Sequence, residues 1–199
     1  LAPKSDLPKF ALEFIGMYMV NISEKRSQQQ LNMELEFLKD QTVKRGSSVI
    51  ARWDAETSNR TIKVAFTDPA EGVVTLRVKG ARTPINGGQI KGTESWAWKL
   101  ARVVPVSIWE VRLEPYTSST TVKTQVVRWS FFNNGKVNDP RGNNTYVLEN
   151  DGDLKLQFEG SPYVSRTTIS RDGRTFEGTM YVRVDGSSTY HKVFGRRIK

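Results

Sequence analysis

The stretch TYVLENDGDLKLQFEGSPYVSRTTISRDGRTFEGTMYVRV, residues 145–184, decides the fold class. Leu154, Leu156 and Phe158 alternate with Lys155, Gln157 and Glu159; Met180, Val182 and Val184 alternate with Tyr181 and Arg183. A period of two places one set of side chains on each face of a strand. Asp151-Gly152 and Asp172-Gly173 separate the strand-like runs, and such pairs suit hairpin turns that need positive φ. Asn134-Gly135 and Asp185-Gly186 extend the same punctuation on either side. Strands are therefore expected over 122–132, 145–149, 153–159, 163–170, 175–184 and 189–198. Short turns make sequence neighbours pair, so the segment reads as an up-and-down meander.

Upstream, the period stays at two as far back as Val49. Val49, Ala51 and Trp53 alternate with Ile50, Arg52 and Asp54, Ile62, Val64 and Phe66 with Lys63, Ala65 and Thr67, and Val74, Leu76 and Val78 with Thr75, Arg77 and Lys79. These runs predict a three-stranded antiparallel meander with one wet face. Further strands fit 95–104 and 107–114. Residues 80–93, with Pro84 and Gly87-Gly88, read as a candidate functional loop, and 116–121 as a Ser/Thr-rich turn. About eleven strands are too many for one flat sheet, so they should curl into a barrel or split into two packed sheets. The expected class is mainly β, an antiparallel up-and-down β-barrel with a β-sandwich as the alternative.

Before Gly46 the pattern reads as helical. Ser5 or Asp6 can cap a first helix with Pro8 near its first turn. Phe10, Phe14, Met17 and Tyr18 then share one face, although Phe14–Ile22 also suits a strand. A second helix fits 24–45: Leu31, Leu35 and Leu38 recur at i, i+4 and i+7, and Gly46 supplies a stop. The expected organisation is an N-terminal helical arm over 1–46, with one or two helices, and a β-barrel domain over 47–199.

The segment 122–198, with Trp129 and Phe131 before Asn134-Gly135 and the run from Asp172 to Thr179, resembles lipocalin-like (calycin) β-barrels. The resemblance implies a barrel that carries an apolar small ligand. The family's Gly-x-Trp on the first strand is missing, and Gly16-Met17-Tyr18 is the nearest stand-in.

Composition narrows the chemistry. Among 199 residues there is no Cys and one His, His191. That excludes disulfides, thiolate metal sites, Cys nucleophiles and His-cluster metal sites. No Gly-x-Ser-x-Gly elbow, phosphate loop or dinucleotide fingerprint occurs. Asp151/Asp153 and Glu110/Glu114 are spaced carboxylate pairs, but they read as a hairpin turn and a wet strand face. Asn150, Asp151 and Asp153 are oxygen ligands close together, which the Asp-Gly hairpin explains without a metal. No enzyme, catalytic residue, metal or cofactor is expected. The most apolar run, Phe10 to Val20, is too short to span a membrane. A start at Leu1 rather than Met favours a processed, exported or organellar chain, and three N-glycosylation sequons add little to that.

The formal net charge is +9 with a pI near 9.8. Residues 1–50 hold 7 basic and 6 acidic residues, 51–100 hold 8 and 5, 101–150 hold 6 and 4, and 151–199 hold 9 and 6. So dispersed an excess favours an acidic partner over a polybasic tail. The leading expectation is a structural or adaptor subunit of a larger assembly, docking on an acidic protein. Phe10, Phe14 and Met17 would anchor it, and Arg183, Lys192, Arg196 and Arg197 would pair with carboxylates. The alternative is a carrier whose apolar ligand meets Trp96, Trp98, Trp109 and Trp129. A nucleic-acid-binding β domain ranks third, because no RNA-binding signature appears.

Overall fold

The computed structural model describes residues 6–24, 27, 29–79, 85–91, 93–115, 123–161, 164–184 and 187–199, without the side chains of 182–184 and 187–189. Among the described residues, one short α-helix, α1 (Lys9–Phe14), precedes fifteen strands, and a 3-10 turn at Pro69–Glu71 lies between the fifth and the sixth of them. The chain forms two compact units, Leu1–Val103 and Val104–Lys199.

The first unit is a closed antiparallel barrel of eight strands in chain order. They are β1 (Gly16–Glu24), β2 (Gln30–Phe37), β3 (Thr42–Arg45), β4 (Ser48–Glu56), β5 (Thr61–Phe66), β6 (Val73–Arg77), β7 (Ile85–Lys91) and β8 (Glu94–Arg102). β1 pairs with both β2 and β8, which closes the ring and leaves no edge strand. The second unit holds β9 (Pro105–Pro115), β10 (Gln125–Phe132), β11 (Thr145–Leu148), β12 (Asp153–Gln157), β13 (Val164–Ile169), β14 (Thr175–Val184) and β15 (Ser187–Arg197). Its sheet runs β10-β9-β15-β14-β13-β12-β11. Bridges Phe131↔Val137 and Lys136↔Thr145 link the two outer strands through Lys136 and Val137.

Antiparallel up-and-down topology follows the expectation, but the single barrel over 47–199 does not. Gly46 lies in the hairpin joining β3 to β4, where Arg45 faces Ser48. The expected helix over 24–45 is replaced by the end of β1, by β2 and by β3. Its Leu spacing was shared by a second pattern: Leu35 and Phe37 point into the barrel with Met33 packed beside them, while Glu34 and Glu36 alternate with them. Pairing along β1 over Gln30–Phe37 engages the backbone of this segment in a ladder, which outweighs a weak helical propensity. Phe14–Ile22 took its strand alternative from Gly16 onward. Of the candidate loop, residues 85–91 form β7, while 80–84 and 92 lie outside the described residues, as do 116–121 and Asp185-Gly186.

The two units repeat one plan. Gly16 faces Phe37 across β1 and β2, and Ser107 faces Phe131 across β9 and β10. Counted from that point, Tyr18, Val20 and Ile22 correspond to Trp109, Val111 and Leu113. On the closing strands their partners Arg102, Leu100 and Trp98 correspond to Arg197, Gly195 and Val193. The turns agree in detail. Leu38 N–H donates to Thr42 O at 3.0 Å, and Phe132 N–H to Lys136 O at 2.9 Å. Trp53 Nε1 donates to Leu38 O at 3.0 Å, and the Tyr146 hydroxyl to Phe132 O at 2.8 Å. Gln41 and Gly135, with φ of 64° and 77°, occupy matching places in these turns.

α1 closes one end of the first barrel, with Phe10, Ala11 and Phe14 in its core. The Arg102 guanidinium donates to Glu13 O at 2.6 Å and Ile15 O at 2.7 Å, holding the end of the helix. The Tyr18 hydroxyl donates to Phe14 O at 2.8 Å, and burial pushes its pKa from 10.0 up to about 12 against the opposing effect of Arg102. Between those values the unfolded chain loses the phenol proton while the folded chain keeps it. The stability that a neutral Tyr18 contributes is thus full below pH 10 and lost on rising through pH 12, roughly 2–3 kcal/mol in all. Urea midpoints are expected to fall between pH 9.5 and 11.5, and less steeply in Tyr18→Phe. Equal slopes in both proteins would contradict the assignment.

Candidate functional site

The interiors of the two units are filled differently in the layer that holds Trp98. In the first barrel, Trp98 is buried, with its Nε1 donating to Gln89 Oε1 at 2.9 Å and its ring 6.0 Å from that of Phe66. Gln89 in turn donates to Glu71 O, so the layer is filled and its polar atoms are engaged. An eight-stranded barrel is just wide enough for side chains to fill in this way.

The second unit carries different groups at three of the four matching places. Gly87 and Gln89 on β7 face Trp98 and Trp96, whereas Gly178 and Met180 on β14 face Val193 and His191. Val193 therefore stands where the first barrel has Trp98, His191 where it has Trp96, and Met180 where it has Gln89. Leu76 faces Gly87 and Ile62, and Thr167 faces Gly178 and Leu154. Four residues on from Ile62 and Leu154 come Phe66 and Phe158, and the indole that packs on the phenyl ring comes from Trp98 on β8 in the first unit and from Trp129 on β10 in the second.

A cavity of about 520 Å³ lies in this layer. Leu113, Val127, Trp129, Phe158 and Met180 supply its apolar wall, and Asn138, Asn144, Glu159 and Ser161 its polar side, with Arg128 and Tyr181 also in the lining. The Trp129 and Phe158 rings lie 5.4 Å apart at 46°. The polar side is ordered by its own bonds: Glu159 N–H donates to Asn144 Oδ1 at 2.9 Å, and Asn143 Nδ2 to Glu159 Oε1 at 3.0 Å. This size and make-up are those of a small-molecule site.

The sequence-predicted residues are scattered. Phe10 and Phe14 belong to the core of the first barrel and are not available as docking anchors, a correction that follows from α1 closing the barrel. Met17 is half-buried on β1. Trp98 belongs to the first core with Trp96 packed against it, and Trp109 and Trp129 to the second. Only Trp129 lines the cavity. The side chain of Arg183 lies outside the described residues. Lys192 is exposed on β15. Arg196 and Arg197 do come together, with Arg174 and Lys199, around a depression of about 570 Å³ that also holds Asp172. Arg196 is paired there with Glu110 at 3.0 Å, and hydrogen bonds from Ser170 and the Arg174 N–H hold the Asp172 carboxyl below its usual range. His191 is buried inside the second unit. The carboxylates of Glu149, Asp151 and Asp153 lie within 4.8 Å of one another. Lys155 pairs with Glu149, Thr168 donates to Asp153, and Asp151 accepts the Asp153 N–H, so the hairpin accounts for all three.

Sequence reasoning missed Met180, Phe158 and Val127 as site residues. Each read as an ordinary strand position, and only the tertiary pairing brings them together around the cavity.

No family model matches the chain, and no curated protein is similar to it. Among solved structures it is similar to the Myxococcus xanthus hemagglutinin, whose crystal structure is in complex with a3,a6-mannopentaose. Identity is 13% over 92% of this chain and 100% of that chain, with a TM-score of 0.25. A likeness of that size carries no argument. Among the described residues no helix is long and apolar enough to cross a membrane.

Proposed function

We propose that this chain is a non-catalytic binding protein that holds a small, largely apolar molecule in its second unit. The observation that supports this reading is the cavity of about 520 Å³ walled by Trp129, Phe158 and Met180. Apolar surface buried there contributes roughly 25 cal/mol per Å², while Asn138, Asn144 and Glu159 orient a polar group. Methionine provides a direct probe, because three of the four, Met17, Met19 and Met33, belong to the first unit and Met180 alone to the second. In ¹³C-methyl-methionine spectra of the full chain, 1-octanol is expected to shift the Met180 signal and leave the other three unmoved. Val127→Phe, which fills the cavity, is expected to weaken that binding about tenfold, the loss of some 1.4 kcal/mol. A Met180 signal indifferent to 1-octanol and to aromatic alcohols alike would remove the proposal.

A second reading, docking on an acidic protein, rests on the depression shared by Arg174, Arg196, Arg197 and Lys199. Guanidinium groups suit carboxylates. Retention of the protein in its assembly should then fall steeply between 0.05 and 0.5 M salt, as the Debye length shrinks from above ~10 Å to below it. Retention that does not change with salt counts against this reading.

A further inference from the structure

We infer that the outer face of the second unit carries a site of its own, a groove across the strands that takes a neutral oligosaccharide chain. Strand register builds its walls. Val126, Arg112, Phe194, Glu177 and Thr168 face one another in turn across β10, β9, β15, β14 and β13. Two residues along, Glu110, Arg196 and Thr175 form a second row, which Ser170 extends by accepting the Thr175 N–H on its hydroxyl at 3.0 Å. A groove of about 560 Å³ lies among these two rows. Neighbouring strands are about 4.8 Å apart, so a row of five spans about 19 Å, which suits a chain of rings better than a single one.

Charge selects the ligand. The groove is lined by two cations, Arg112 and Arg196, and by two carboxylates, Glu110 and Glu177. Arg196 is paired with Glu110 at 3.0 Å and Arg112 with Glu114 at 3.0 Å, so both cations are already compensated. A nucleic acid needs a positive track along its phosphates, and Glu177 repels it. A cationic chain meets the two Arg residues in the same way. A neutral chain rich in hydroxyls avoids both costs. Glu177 is exposed and has no donor of its own among the described residues, so its oxygens are open to ligand hydroxyls. The Arg196 guanidinium, oriented by Glu110, keeps further N–H donors, and the Ser170 and Thr175 hydroxyls donate or accept. Phe194 supplies the apolar element. Arg112 lies over its ring at 5.0 Å, and the rest of this half-buried ring lines the groove. The negative face of an aromatic ring attracts C–H bonds, and a pyranose ring presents a flat side of C–H groups.

The test titrates cellohexaose, mannohexaose and N-acetylchitohexaose, with decathymidylate as the polyanion, into the ¹⁵N-labelled full chain. At least one of the three sugars should move the Glu177 and Gly195 amide signals and leave that of Gly87, in the first unit, unmoved. Phe194→Ala should weaken that binding roughly tenfold, and Glu177→Gln roughly threefold to tenfold. Should Phe194→Ala not fold, Glu177→Gln, at an exposed position, decides alone. No shift from any of the three sugars overturns the inference, as does a sugar that the parent and both variants bind equally. Shifts at Glu177 that are larger with decathymidylate than with any sugar assign the face to single-stranded nucleic acid and overturn it too. Phe194 and Glu177 line neither the cavity at Trp129 nor the depression at Arg197, so the outcome is independent of the two readings above.

Discussion

Phe14→Ala is expected to cost the first barrel roughly 3–5 kcal/mol, the usual penalty for removing a buried phenyl ring. Phe14 is 1% exposed. Its ring lies 4.6 Å from that of Phe37, 5.1 Å from Tyr18 and 5.8 Å from Trp53, so truncation opens a void among three aromatic neighbours that are themselves fixed by strands. The same substitution loosens α1, whose last turn Arg102 and Tyr18 hold through backbone carbonyls. Met17, half-buried on β1, should tolerate Ala with a much smaller loss. Urea unfolding followed by circular dichroism measures both. The outcome also separates two roles for the N-terminal segment. Loss of stability marks it as core; a Phe14→Ala protein of unchanged stability that leaves its assembly would restore the docking arm.

The second large effect concerns Gly178 and its counterpart Gly87. Neither has a positive φ, so conformational freedom does not explain them. A Cβ built on Gly178 falls 2.5 Å from Arg166 O and 2.7 Å from Thr167 Cα; on Gly87 it falls 2.6 Å from Thr75 O and 2.5 Å from a Leu76 methyl. In each unit the neighbouring strand passes too close for any side chain, and the obstacle includes backbone, which cannot rotate away. Gly178→Val should cost the second unit roughly 3 kcal/mol or more, since overpacking against fixed backbone exceeds the usual one-methylene penalty. Gly87→Val should do the same to the first. In thermal unfolding the Met180 methyl signal reports the second unit, and Met33 the first. If Gly178→Val unfolds with the parental midpoint, the close approach is not real.

These glycines show why the repeat escapes a reading of residues alone. Phe37 with Val43 matches Phe131 with Val137, Phe66 matches Phe158, Gly87 matches Gly178 and Arg102 matches Arg197. Between them the turns differ in length, and inward positions exchange freely: Tyr18 for Trp109, Leu76 for Thr167, Leu100 for Gly195. Phe176 explains the last exchange. A Cβ on Gly195 would fall 2.2 Å from its ring, so a large residue on β14 is balanced by none on β15. Barrel interiors conserve filled volume rather than residue type. Volume is shared across strands, so it cannot be read along one of them.

Alternation and turn chemistry are local, and they were enough to place β4 to β6 and β8 to β15 and to specify antiparallel neighbours. The absence of Cys and the single His bounded the chemistry in the same local way. The segment 30–45 carried two compatible patterns, a Leu spacing of four and an alternation of two. Pairing with β1 and β4 chose between them, because an open barrel would leave rows of backbone groups unpaired. Closure at β1–β8 and β9–β15 joins residues far apart in sequence, and with it the division at Val103 and Val104. The cavity depends on the same distant pairings. Leu113, Trp129, Phe158 and Met180 line it together, and each comes from a different part of the chain.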